Sequence, residues 1–312
     1  MCRILSYLGK PTIVEDLLYK PDNSFIKQSY HPKYMSYLLN LAGFGMAAWD
    51  QTSRNPKVPY LYKTPQLPFY DENLHNLSIK ITPYCLLAHL RGVAYNDKQV
   101  VSTQNVHPFM FTASNIALAH NGSLYDFDKM RYDLLEYINP CYKNGIHGTT
   151  DTEWIYAIFL SQLANVTLAN SLEYEEYELN DIINAITETL KILQLVRHKN
   201  NIILNSPVNL FITNGDFIAA TRFVLDYGWQ PLELAYSEHY TYHSLWYTYG
   251  ESYGLYDNEY KMKGGATNSS IIIASEPLTE DTTTWLEVPE YTLLIAYKLE
   301  GEIKIVSKDI NL

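Results

Sequence analysis

The chain has 312 residues, 47% hydrophobic and 18% charged, with a net charge of −11, a globular composition that excludes disordered and membrane-embedded classes. The negative charge and the lack of Lys/Arg clusters argue against a phosphate-backbone partner, so no nucleic-acid role is expected. No stretch approaches the roughly 20 apolar residues of a membrane helix, no basic-then-apolar signal opens the chain, and the three cysteines Cys2, Cys85 and Cys141 form no close pair; no membrane attachment is expected, and the cytoplasm is the expected compartment.

Residues 1–8 read as a strand, apolar at Ile4 and Leu8 and ended by Gly9. Cys2 directly follows the initiator. Removal of Met1 is expected, because methionine is normally trimmed before a small side chain. Cys2 then carries a thiol and a free α-amine on one residue. The amine titrates at roughly 7.7–8.0 and the thiol at about 8.5, so near neutral pH the amine can accept the thiol proton, directly or through a water, and no histidine is needed as base. Residues 40–49 read as a Gly-punctuated strand whose glycines do not fit a dinucleotide fingerprint. Prolines at 56, 59, 65 and 68 predict an irregular surface loop over 51–72.

Residues 84–93 are nearly continuously apolar, as expected of a strand covered on both faces. Arg91 within it is conspicuous: a buried guanidinium needs a carboxylate partner, from the fold or from a substrate. Cys85 reads as a packed apolar thiol. Residues 104–109 read as a turn leading into a strand over 116–120, stopped by Asn121-Gly122. Asn-Gly there is most simply a tight turn; the alternative is that the Asn121 amide and the Gly122 N–H face a developing oxyanion. Thr150 and Glu153 fit a helix capping box ahead of an apolar periodic segment, with Asp151 complementing the helix dipole in the plainest reading. A second amphipathic helix is predicted over 178–195, with Leu179, Ile182, Ile183, Ile186, Leu190 and Leu193 on one face.

Strands are predicted over 208–213, 217–223, 270–275, 291–299 and 302–306, the first two joined as a hairpin through Asn214-Gly215-Asp216. The Tyr-rich stretch 227–260 is either an aromatic wall over a pocket or, the favoured reading, a covering loop. His239 and His243 have helical metal spacing but no acidic or cysteine support. His89, His107, His120 and His147 form no compact metal signature either, so metal and cofactor are both expected to be absent.

Taken in order, these pieces resemble class II glutamine amidotransferases, a branch of the N-terminal nucleophile hydrolases. Residues 1–9 look like the start of the stand-alone branch that includes the amidotransferase-like enzyme of ergothioneine biosynthesis and a glutathione-degrading subunit. His89-Leu90-Arg91-Gly92-Val93-Ala94 resembles the family's His-x-Arg-x-Ala-Thr strand, His120-Asn121-Gly122 its oxyanion-hole motif, and Thr150-Asp151-Thr152-Glu153 its Ser/Thr-Asp-Ser/Thr-Glu motif. Residues 209–222 and 274–278 look like the same branch's C-terminal segments. Two departures stand out: Ala42 occupies a position where relatives usually carry aspartate, and Gly92 to Tyr95 replaces the usual Ala-Thr ending.

The resemblance implies an α+β fold, the four-layer αββα sandwich of the N-terminal nucleophile hydrolases, as one domain over 2–312. It implies Cys2 as nucleophile, Asn121 and Gly122 as oxyanion donors, Arg91 on the substrate α-carboxylate and Asp151 on its α-amine. The expected activity is hydrolysis of a γ-glutamyl amide bond, in glutamine or a conjugate, through a γ-glutamyl thioester. No nucleotide-binding loop or acceptor domain is recognisable, so a stand-alone hydrolase is expected. The alternatives are a glutaminase subunit feeding ammonia to a separate partner synthase and a catalytically silent γ-glutamyl-binding subunit. A homo-oligomer is compatible with any of these.

Overall fold

The computed structural model describes residues 2–34, 39–93, 100–112, 114–167, 177–226 and 243–312. Its elements run β1 (Arg3–Leu8), α1 (Val14–Leu18), β2 (Phe44–Trp49), β3 (Tyr60–Thr64), α2 (Glu72–Ser78), β4 (Cys85–Leu90), β5 (Ala117–Gly122), α3 (Phe127–Leu134), α4 (Pro140–Lys143), α5 (Asp151–Thr167), α6 (Leu179–Lys199), β6 (Ser206–Thr213), β7 (Phe217–Arg222), β8 (Val224–Leu225), β9 (Trp246–Gly250), β10 (Ser252–Tyr256), β11 (Glu259–Lys263), β12 (Ser270–Ala274), β13 (Leu286–Glu287), β14 (Thr292–Leu299) and β15 (Glu302–Asp309).

The strands form a seven-stranded sheet, β13-β9-β12-β1-β4-β2-β3, and a six-stranded sheet, β15-β14-β7-β6-β5 with β8 beside β6; β10 and β11 make a separate hairpin. Period-2 alternation assigns each strand residue to one face. In the first sheet Ile4, Leu8, Ala47, Trp49, Cys85, Leu87, Ile271 and Ile273 face the second sheet, which answers with Ala117, Ala119, Phe211, Ile218, Ala220, Leu294 and Ala296. On the far side of the first sheet Leu5, Tyr7, Leu86, Ala88 and Leu90 pack on Val14, Leu17 and Leu18 of α1, Leu74 of α2, and Tyr253 and Met262 of the hairpin. On the far side of the second, Leu118, Leu210 and Ile212 meet α3, α5 and α6. Helix, sheet, sheet, helix is the four-layer αββα sandwich that the family resemblance implied, with antiparallel pairing throughout the described strands.

The apolar face read from α6 packs into the outer core as a unit, while Arg197, His198 and Lys199 lie in its last turn, where cations suit the dipole. Arg197 is fully buried there; its Nη2 meets Asp226 Oδ2 at 2.8 Å, and Nη1 donates to Ser206 Oγ at 2.6 Å. Among the described residues no helix is long and apolar enough to cross a membrane.

Four sequence expectations need correction. The prolines of 51–72 flank a regular segment instead of forbidding it: β3 fits between Pro59 and Pro65 and, among the described residues, pairs with β2 alone, on the sheet edge where proline neighbours are tolerated. Residues 104–109 are not one turn, since Thr103–Asn105 is a short 3-10 helix and Phe109 bridges Leu118. Asn121 and Gly122 do not make a tight turn; they extend β5 and pair with Asn209 and Val208. The covering loop is also revised: residues 227–242 lie outside the described residues, but 246–263 carries β9, β10 and β11. Tyr247 and Tyr249 alternate on β9 and stack at 6.1 Å, a strand periodicity hidden by the surrounding tyrosines.

Candidate active site

Following each inward-facing row two residues beyond its last apolar member leads to one place. On β1 the row Leu8, Ile4 continues to Cys2, and on β4 the row Cys85, Leu87 continues to His89 and Arg91. On β5 the row Ala117, Ala119 continues to Asn121, on β6 Phe211 leads back to Asn209, and beyond β12 Ile273 leads to Ser275. Register puts these positions at the same end of the sandwich, with Arg3 opposite Leu90, Leu5 opposite Ala274 and Asn121 opposite Asn209. One end of the interlayer is therefore polar, while the inward rows behind it are mostly apolar, with Ser6 and Thr213 the buried polar residues among them.

Cys2 is buried at the head of β1, and its Sγ lies 3.5 Å from the Gly92 N–H and 3.7 Å from the Gly92 carbonyl oxygen. Arg3 fixes the strand's start: it is paired with Glu276, with both groups buried, and its Nη1 donates to the Cys2 carbonyl at 3.1 Å. Glu276 Oε2 also accepts the Lys33 N–H at 2.9 Å.

Arg91 follows the end of β4, its backbone still tied to the β2 side, with its N–H on Gly43 O and its carbonyl accepting the Ala42 N–H, each at 2.9 Å. At position 42 the chain thus supplies a backbone bond and no side-chain carboxylate. Among the described residues no carboxylate lies within 4 Å of the guanidinium, whose Nη1 donates instead to Val100 O at 2.9 Å. Burial pushes its pKa down, opposed by the charges of Cys2 and Asp151. The same Val100 carbonyl accepts from Asn105 Nδ2 at 3.0 Å, and Asn105 also joins Thr149 twice, at 2.8 and 2.9 Å. Asn105 thereby ties the Arg91 side of the site to the loop that delivers Asp151.

That loop is held by Glu153. Its carboxylate accepts the N–H groups of His147 and Gly148, each at 2.9 Å, while Thr150 Oγ1 is 3.5 Å away. The capping-box residues are in place, but the glutamate reaches past the cap into the preceding loop. An added Cβ at Gly148 would come within 2.3 Å of Asn105 Oδ1 and 2.5 Å of Glu153 Oε2, so only glycine allows this closure. Asp151, first residue of α5, accepts the Leu124 N–H at 2.6 Å, and Thr152 Oγ1 lies 3.3 Å from its Oδ1 and 3.1 Å from His120 Nδ1.

Asn121 is buried between the sheets. Its Nδ2 lies 3.4 Å from Ser275 Oγ, which accepts the Ile4 N–H at 3.0 Å, and its Oδ1 lies 3.3 Å from His243 Nδ1. On edge strand β5 the N–H groups of Leu118 and His120 turn away from β6, toward Phe109 O and His107 Nδ1. By the alternation of an antiparallel ladder the Gly122 N–H faces the same open side.

Three histidines line this end. The His89 and His107 rings lie 4.1 Å apart, tilted by 30°, and His120 Nε2 donates to Pro207 O at 3.2 Å. Burial drives the pKa of each below the ordinary 6.5, and His89 is lowered further by Arg91. Pushed down in this way, the three rings favour the neutral form and are weak bases near pH 7. Among the described residues no group of three or more His, Cys, Asp or Glu is placed to hold a metal ion.

The structure brings all five sequence-predicted residues, Cys2, Arg91, Asn121, Gly122 and Asp151, to the same end of the sandwich. His239 lies outside the described residues. Sequence reasoning did not single out Asn105, Asn209, Ser275, the Arg3–Glu276 pair or the role of His243. Asn209 and Ser275 carry a readable signal, a polar residue two positions past an apolar strand row; the others meet the site only through tertiary contact.

The sandwich and the polar end of its inner faces define an enzyme with the N-terminal nucleophile hydrolase fold. The family model for class-II glutamine amidotransferases matches residues 41–218, and the chain belongs to that family, which makes it an amidohydrolase-type enzyme. It is 28% identical over 309 residues to the probable glutamine amidotransferase DUG3 of Saccharomyces cerevisiae, covering 96% of this chain and 82% of that protein. A glutamine aminotransferase class-II domain protein from Silicibacter pomeroyi superposes with a TM-score of 0.60 at 16% identity, covering 99% of both chains. The glutamine phosphoribosylpyrophosphate amidotransferase of B. subtilis superposes with a TM-score of 0.56 at 17% identity, over all of this chain but 50% of that one.

Proposed function

We propose that the protein hydrolyses a γ-glutamyl amide bond, with Cys2 as nucleophile. The observation that carries this reading is the convergence of Cys2, Arg91 and Asn121 on one polar end of the interlayer, with the Gly92 N–H 3.5 Å from sulfur. With Met1 removed, the Cys2 α-amine takes the thiol proton and the thiolate attacks the γ-carbonyl carbon. The new C–S bond leaves charge on the γ-oxygen, which the Asn121 amide and Gly122 N–H stabilise at about 3–4 kcal/mol for one such donor. Collapse breaks the C–N bond and the departing amine takes the proton from the Cys2 ammonium, leaving a γ-glutamyl thioester. Water, deprotonated by the same amine, attacks this ester; glutamate leaves and the thiol is restored.

Arg91 has no carboxylate partner among the described residues, which supports a substrate carboxylate there, gripped bidentately. Asp151 then takes the α-ammonium, and fixing both ends of the glutamyl group aligns its γ-carbon with Cys2. Glutamine and γ-glutamyl conjugates present the same glutamyl end. Comparing kcat/KM across glutamine and a panel of γ-glutamyl amines and peptides tests the reading. Turnover of one panel member with glutamate release supports it. Glutamine turnover that rises only when a second protein is added would replace the stand-alone hydrolase with an ammonia-supplying subunit.

A further inference from the structure

We propose that His243 is a positioning residue that fixes the orientation of the Asn121 amide, and so aims its N–H₂ at the site where the oxyanion forms. The inference rests on the assignment of Asn121 as an oxyanion donor. A side-chain amide can point either end at a substrate, and only the N–H₂ end stabilises negative charge. Ser275 Oγ, 3.4 Å from Asn121 Nδ2, does not choose between them, because a hydroxyl donates or accepts equally well. The choice falls to the contact on the other side, His243 Nδ1 at 3.3 Å from Asn121 Oδ1.

Burial holds the His243 ring neutral, with its pKa well below 6.5, so it carries one N–H. A proton on Nε2 would be a buried donor with no acceptor among the described residues, which favours the tautomer protonated on Nδ1; the ring then donates to Oδ1, and both amide hydrogens of Asn121 are left for Ser275 and the substrate. Among the described residues His243 Nε2 has no hydrogen-bond partner, and the ring is buried. Its contact with Asn121 is therefore the one polar interaction that the ring makes among the described residues.

The backbone is built to present this ring. His243 has φ +28°, a region that non-glycine residues rarely occupy, and strain of this kind persists only where surroundings impose it. They do so here: Asn209 Nδ2 donates to the His243 carbonyl at 2.7 Å, Asn209 Oδ1 accepts the Phe223 N–H at 3.0 Å, and Ser244 Oγ donates to Ser275 O at 2.8 Å. Asn209 is the direct neighbour of Asn121 across β5 and β6, so the ring and the amide that it orients hang from paired residues.

The test compares His243→Phe, which removes the donor, with His243→Asn, whose amide nitrogen falls where Nδ1 was and which accepts a positive φ. Each is made in the full chain and in an Asn121→Ala background, and assayed on the best γ-glutamyl substrate. Expected are a loss of about tenfold to hundredfold in kcat for His243→Phe with KM nearly unchanged, recovery of most of it in His243→Asn, and no further loss from His243→Phe once Asn121 is alanine. Should His243→Phe not fold, His243→Ala takes its place. Independent losses in the double variant, or equal loss in His243→Asn, would overturn the proposal. A second readout needs no turnover. The Asn121 side-chain amide signals, followed by NMR with selective ¹⁵N-Asn labelling, are expected to shift or broaden in His243→Phe and return in His243→Asn. Unchanged signals in His243→Phe overturn the positioning role even if the wild type hydrolyses nothing, an outcome that would count separately against the hydrolase reading.

Discussion

Replacing Gly122 by alanine separates the geometry of the proposed oxyanion strand from its chemistry, because alanine keeps the backbone N–H. Gly122 is not among the positive-φ glycines, so the cost is steric alone. The new Cβ would sit 1.9 Å from Pro207 O and 2.5 Å from His120 Nε2. A carbon–oxygen contact needs about 3.3 Å, so the end of β5 must withdraw from β6 by more than about 1 Å. Forcing in one methyl costs about 1–3 kcal/mol. Losing the His120 Nε2 to Pro207 O bond, 3.2 Å in the native chain, adds about 1 kcal/mol. The sum is about 2–4 kcal/mol, read as a lower urea midpoint. A displacement of that size at Asn121 lowers kcat by about a hundredfold. Stability within about 0.5 kcal/mol of wild type, with kcat nearly unchanged, would refute the reasoning, since that is the ordinary range for a surface substitution.

Arg91→Lys removes the planar fork, and the KM for a γ-glutamyl substrate should rise about tenfold to a hundredfold, the worth of a charge-assisted hydrogen bond; an unchanged KM would place the α-carboxylate elsewhere. Cys85 is fully buried and its thiol is pushed up to about 12, whereas Cys141 is exposed, so a brief alkylation of the native protein at pH 8 should mark Cys141 and leave Cys85 unmodified, as peptide mass mapping will report. Acid should weaken the fold through His89, His107, His120 and His243, whose folded pKa values lie below 6.5. Below about pH 6.5 the unfolded chain binds more protons at these sites than the fold does, so the stability they lend is full above that pH and falls by up to about 1.4 kcal/mol per pH unit per histidine beneath it. Urea midpoints at pH 7.0 and 5.5 should differ accordingly; equal midpoints would mean that the rings are already charged in the fold.

Most of the architecture was legible because strands and helices bury opposite patterns. The apolar rows of β1, β4, β6 and β14 and the 3.6-residue face of α6 are visible in sequence; Cys2 and Arg91 stood out by position, whereas the site roles expected of Asn121, Gly122 and Asp151 came from the resemblance to class II glutamine amidotransferases. Less visible was anything defined by a partner. β3 is regular because β2 lies beside it, not because residues 60–64 demand it, and the tyrosines of 246–260 conceal an alternation that β12 fixes through β9. α1, α2, α3 and α4 are each eight residues or fewer, too short for a periodic signal to rise above the loops. His243 looked like a metal-spacing partner of His239, since nothing in its neighbours reveals that its ring meets Asn121, 122 positions away. Asn105 and the Arg3–Glu276 pair were unreadable for the same reason, sequence separation.

The central claim is that a γ-glutamyl group is carried on the Cys2 sulfur. The direct measurement is intact-mass and peptide-mass analysis of the purified protein before and after treatment with a glutamine-analogue electrophile, alongside Cys2→Ala. The account predicts a mature chain beginning at Cys2, one equivalent of label on that residue, and no label and no γ-glutamyl hydrolysis in Cys2→Ala. Label on Cys141 or Cys85 alone, with hydrolysis surviving in Cys2→Ala, would contradict it.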